Sequence, residues 1–153
     1  MRQTPDNSPG ISGEYNPQEQ LLYALNRRVF LDVIWNRIGI IEFRSTSLFA
    51  GQVYLLPKQK DHLGRLKVCL TINPDESLEY QEHTLVHECI HVDRSAWEKR
   101  SKLPYWSNEI DTALVIEEEL TNSAADAFYE THKPLVAKAL NHLRLRSSHQ
   151  TRS

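Results

Sequence analysis

Thr84-Leu85-Val86-His87-Glu88-Cys89-Ile90-His91 contains the pattern His-Glu-x-x-His inside a run of helical character. His87 and His91 stand four residues apart, so on an α-helix their side chains share one face, about 5–6 Å apart at Cβ. Two neutral imidazoles so placed suit one Zn²⁺ in a tetrahedral site. Glu88 follows the first histidine and leans toward the open metal position, where a carboxylate can take a proton from an activated water. Leu85, Val86, Cys89, Ile90 and Val92 are apolar, which predicts a buried helix whose two histidines need partners. Cys89 points away from the histidines and reads as core.

Outward from the motif, the chain reads as one domain. Its 153 residues can bury a sizeable core, and 40% apolar with 25% charged residues is the balance of a globular protein. A formal net charge of −2 gives no global pull toward nucleic acid or an acidic membrane. No apolar run approaches the roughly 20 residues that cross a bilayer, and the first twenty residues lack an apolar leader core. Two cysteines, one inside the motif, do not make a disulfide scaffold, so a cytoplasmic location is expected.

Residues 1–16 hold Pro5, Pro9, Gly10 and Gly13 among polar residues and read as a disordered tail, with a single domain over 17–145. Asn16-Pro17 looks like a helix cap, and Leu21, Leu22, Leu25, Val29, Val33, Ile34, Trp35 and Ile38 recur at helical spacing until Gly39. Three strands are expected at Ile40–Arg44, Gln52–Leu56 and Leu66–Ile72, with 57–65 as a polar hairpin connection carrying a solvated His62. The motif helix begins between Leu78 and Glu82 and runs to about Lys99. Another helix spans Glu109 to about Thr131, and a last one Leu135 to about Leu145. Residues 146–153 read as a disordered basic tail.

The helix from Glu109 offers the missing carboxylate. Ile110, Ala113, Leu114, Leu120, Thr121, Ala124, Ala127 and Phe128 mark an inward stripe, which Glu117-Glu118-Glu119 interrupts. Three consecutive residues span about 200° of helix, so one of these carboxylates faces near the packed side, where it needs a cation. The Asn108-Glu109 pair after the motif resembles that of thermolysin-like enzymes, at a shorter spacing, which makes Glu109 a further option for a third ligand, and His83, four residues before His87, could be a ligand or an orienting neighbour. Tyr105, His83 and His132 are candidates to stabilise an oxyanion. Asn122 or Asp126 could orient a ligand histidine.

The segment from Ile72-Asn73 through Thr84–His91, together with the glutamate helix, resembles a zincin metallopeptidase, most closely the ImmA/IrrE-type domain. The resemblance covers roughly residues 20–130. It implies an α+β fold, a compact zincin-like domain with a small antiparallel β-sheet packed on an HExxH helix and a glutamate-bearing helix. It implies Zn²⁺ held by His87, His91 and a glutamate, with Glu88 as general base in hydrolysis of a protein or peptide substrate. Glu118, with Asn122 four residues on and Ala124-Ala125 following, matches the family's third ligand. Ala125-Asp126-Ala127-Phe128 would fit an alternative register with Asn122 in that position, but asparagine is a poor zinc ligand. The family commonly has Leu-Gly where this chain has Cys89-Ile90. Relatives are often coupled to DNA-binding regulators, and since no helix-turn-helix is evident here, such a regulator would be a separate protein. The runner-up is a non-catalytic, metal-stabilised interaction module that binds a protein or nucleic acid through Lys133, Lys138, Arg144, Arg146 and Arg152 of its C-terminal helix.

Overall fold

The computed structural model describes residues 23–94 and 108–152, with the side chains of 108–117 and 151–152 left out of account. It is an α+β arrangement of three helices and a three-stranded sheet. The expected tail, the Asn16-Pro17 cap, Trp97, Tyr105 and the side chains of Glu109 and Glu117 lie outside the described residues. No helix among the described residues is long and apolar enough to cross a membrane.

Helix α1 is short, Arg27–Asp32, and is capped by Asn26, whose side chain accepts from the Val29 N–H at 2.9 Å. It passes into a wider π turn, Val33–Arg37, and strand β1 then runs Ile38–Phe43. The helix expected to continue to Gly39 therefore ends at Arg37. Ile38, Ile40 and Ile41 are β-branched and pair with Val68, Cys69 and Leu70, and that pairing prevails over the helical spacing of the apolar residues. Gly39 is not a helix stop but sits at the register shift between Ile38 and Ile40. A Cβ there would lie 2.5 Å from Gln59 Oε1 and 3.2 Å from Lys67 Cβ, so the side chain is missing where neighbouring strands crowd in.

Strands β2 (Gly51–Lys60) and β3 (Leu66–Ile72) complete the sheet in the order β1-β3-β2. β2 pairs antiparallel with β3, as the hairpin reading expects, but β1 runs parallel to β3, so the sheet is mixed rather than antiparallel. β2 also extends through Pro57 to Lys60, an extension open to proline because β2 is an edge strand. The turn shrinks to a few residues around Asp61, with Gly64 at φ +83°. Asp61 organises it: its side chain accepts from the N–H groups of Leu63 and Arg65 and from the Arg65 guanidinium, which also bridges to Asp32 at 3.0 Å. Burial works to raise the Asp61 carboxyl, yet these hydrogen bonds outweigh it and hold the pKa at about 2. His62 is exposed, as expected.

Helix α2, Leu78–Arg94, carries the motif and starts at Ser77, whose Oγ accepts from the Tyr80 N–H. Helix α3 runs Asn108–Arg152 with a kink at His132 (φ −132°, ψ 29°), ahead of Pro134. Proline there lacks an N–H and crowds the preceding turn, which bends the helix where the sequence marks a break. Leu85, Val86, Cys89 and Ile90 of α2 meet Val68, Leu70 and Ile72 of β3, with Phe128, Val136, Leu140 and Leu143 of α3 closing the core. The helix does not end near Leu145. Arg146 donates to the carbonyl of Ile38, and the Gln150 amide both accepts from the Ile41 N–H and donates to its carbonyl. Those bonds occupy the outer edge of β1 and order residues 146–152, which the sequence reading assigns to a tail. β2 is left with a free outer edge among the described residues.

Candidate metal centre

α2 and α3 cross the centre of the molecule antiparallel, and each presents polar residues at four-residue steps: His83, His87 and His91 on one, Glu118, Asn122 and Asp126 on the other. All six line one cavity of about 870 Å³, together with Glu88, Tyr80, Thr84, Ala125 and the start of β2, Ala50–Val53. The hydrophobic faces of α2 and α3 bury the helix pair against the sheet, so this polar row is held at a fixed depth.

His87, His91 and Glu118 converge. The Nε2 atoms of the two histidines are 3.1 Å apart, Glu118 Oε1 is 3.1 Å from His87 Nε2, and Oε2 is 2.8 Å from His91 Nε2. Metal–ligand bonds of roughly 2.0–2.1 Å in a tetrahedron require donor atoms about 3.3 Å apart. The two Nε2 atoms are within a few tenths of an ångström of that edge, each oxygen of Glu118 reaches one imidazole, and the two-imidazole, one-carboxylate donor set suits zinc. The residues present therefore fit the metal. Among the described residues no fourth histidine, cysteine or acid joins the group. Hydrogen bonds from His87 and then His91 hold the Glu118 carboxyl well below the usual glutamate range.

Glu88 lies beside the triangle and is 7% exposed. Burial pushes its carboxyl pKa up, the charges of His91 and His87 pull it down, and Glu118 pushes it up again; the balance is a raised value. A glutamate so tuned accepts a proton more readily than a solvated one.

Of the other residues singled out from sequence, His83 lies in this cavity and pairs with Asp126 at 3.4 Å instead of completing the triangle. Asp126 thus faces His83 and not a ligand histidine. His132 is elsewhere, stacked on Phe128 and lining a separate cavity of about 270 Å³. Cys89 is buried in the core, as expected. The sequence reading missed Glu82 and Tyr129, which form a buried hydrogen bond of 2.5 Å beside His83. The three-residue step from Asp126 to Tyr129 was the available signal, and nothing local marked Glu82. It also missed Gly51, which no periodicity marks.

Gly51 brings β2 onto the motif helix. A Cβ built there would lie 2.3 Å from Thr84 Cγ2 and 3.3 Å from Glu88 Cγ. Thr84 is buried and β-branched, so its methyl cannot swing aside cheaply. Gly51→Ala is expected to destabilise the fold by about 1–3 kcal/mol through overpacking. Thr84→Ser, which deletes the methyl, should restore much of that loss in the double variant. Denaturant midpoints of the four proteins measure the coupling directly, and strict additivity would show that the contact does not constrain the helix.

Comparison of the chain with family models, curated proteins and solved structures finds no match, so the donor geometry and the sequence motif carry the functional assignment.

Proposed function

We propose that this chain is a zinc-dependent metallopeptidase, of the kind its HExxH and glutamate helices resemble, acting on a specific protein substrate in the cytoplasm. The observation that carries this is the position of Glu88, a buried carboxylate lining the same cavity of about 870 Å³ as a three-residue donor group that no fourth described residue joins. A structural site has no use for that glutamate.

His87, His91 and Glu118 would hold the ion, which supplies Lewis acidity toward a water and a scissile carbonyl. Glu88 takes the proton from the attacking water and delivers it to the leaving amine. The outer edge of β2, unpaired among the described residues and with its first residues lining the cavity, gives an extended peptide a strand to pair with, fixing its backbone across the site.

The alternative interaction module relies on a basic C-terminal helix. Arg144 is turned inward onto Gln81 and the ring of Phe43, Arg146 onto backbone carbonyls, and Lys133 sits beside Glu130 and Tyr129. Those cations are engaged within the chain, so peptidase activity is the better-supported function.

The test is zinc content by elemental analysis, paired with hydrolysis of a mixed peptide pool before and after chelation. About one zinc per chain, with hydrolysis lost on chelation and regained on adding zinc, is expected. A chain that takes up no zinc when supplied with it is no zinc peptidase.

A further inference from the structure

The cavity extends beyond the metal triangle, and its far end has a chemistry of its own. One end holds Glu118 against His87 and His91; the other, two helical turns along α3, holds Asp126. No lysine or arginine appears among the described residues lining the cavity. Of its three carboxylates, Glu118 is engaged by the histidines, Glu88 is buried, and Asp126 alone is largely exposed, at 71%. Its neighbour His83 does not neutralise it permanently, since an imidazole is charged only when protonated.

His83 is packed on its other side. Its ring lies 4.1 Å from that of Tyr129, and Tyr129 is anchored by its buried hydrogen bond to Glu82. His83 Nδ1 faces Asp126 at 3.4 Å. Tyr80, half-exposed and one turn before His83 and Thr84, adds an aromatic face. A carboxylate and an open aromatic ring lining one cavity are the chemistry that receives a lysine or arginine side chain. Lys133 sits over the Tyr129 ring and near Glu130, and is not among the residues lining the cavity.

We infer that Asp126, paired with His83 and aided by Tyr80, is a subsite for a basic side chain, so that the preferred substrates are cationic peptides. This rests on the peptidase assignment above and adds a substrate class to it. Eight residues of helix separate Glu118 from Asp126, about 12 Å, and an extended peptide covers about 3.3 Å per residue, which places the basic residue about two to four positions from the bond cut.

The experiment digests a proteome-derived peptide pool with zinc-loaded wild type, Asp126→Asn and Asp126→Lys, and reads the residues flanking every cut by mass spectrometry. Wild type should enrich lysine and arginine about fivefold at one position on one side of the cut, the size of an exposed ion pair. Asp126→Asn should flatten that enrichment, and Asp126→Lys should turn it toward aspartate and glutamate. The same profile from wild type and Asp126→Asn would overturn the subsite and leave the peptidase standing. If zinc-loaded wild type cuts nothing, the peptidase assignment falls, and binding decides the subsite. A labelled heptapeptide with a central arginine should then bind zinc-loaded Glu88→Gln more tightly than its glutamate counterpart, and only while Asp126 is present. Equal or absent binding of the two peptides would overturn the subsite as well.

Discussion

Glu88→Gln is expected to abolish peptide hydrolysis, by a factor of about 10²–10⁴, while zinc stays at the wild-type level. Glutamine keeps the shape of the side chain in its buried position but cannot take a proton. Glu88 is not one of the three converging ligands, so the donor triangle of His87, His91 and Glu118 is untouched. Burial already disfavours the ionised carboxylate at this position, so replacing it with a neutral amide carries little stability penalty. Parallel elemental analysis, thermal denaturation and turnover on the same preparations separate the outcomes. Lost turnover with zinc and stability retained assigns the proton-transfer role to Glu88. Turnover within a few-fold of wild type would remove Glu88 from the chemistry. Loss of zinc along with turnover would make it a ligand instead.

Two donors of this centre are legible in the sequence from helical spacing, and the third, Glu118, from the resemblance to the zincin glutamate helix. His87 and His91 share a face by their four-residue step, and Glu118 is the member of its acidic triplet that meets them. β3 is equally legible, since a central strand buried on both faces must be an unbroken β-favouring run, and Leu66–Ile72 is one. Parallel pairing is not. Nothing local in Ile38–Phe43 distinguishes the strand that joins β3 parallel from one that joins it antiparallel; the long-range pairing decides. The Gly39 shift and the Gly51 contact escape for a related reason, because the atoms that exclude a Cβ belong to Gln59 and Thr84, far along the chain. The ordered C-terminus follows the same rule. A basic, polar run reads as a tail until Arg146 and Gln150 find the backbone of β1.

Glu118→Ala should remove the metal. A third ligand lost from a three-residue donor set leaves two histidines, and zinc affinity is expected to fall by more than the roughly 10–100-fold that follows loss of a supporting residue around a metal ligand. The stability that zinc confers falls with it. Because binding to the folded chain stabilises by RT ln(1 + [Zn]/Kd), a hundredfold weaker site gives up as much as about 2.7 kcal/mol at fixed free zinc, and for a chain of this size that is roughly 8 °C in Tm. Without metal the two proteins should differ far less, since Glu118 is half-exposed and its ion pairs with the histidines are screened by solvent. The diagnostic quantity is therefore the zinc-dependent part of Tm, present in wild type and nearly absent in Glu118→Ala. Glu119→Ala is the internal control. Glu119 is the next residue on the same helix, turned about 100° away, and exposed, so its loss should leave zinc uptake and the thermal shift intact. Zinc retained in Glu118→Ala and lost in Glu119→Ala would mean that α3 is rotated by one residue from the orientation described. It would also move Asn122 and Asp126 away from His83 and His87.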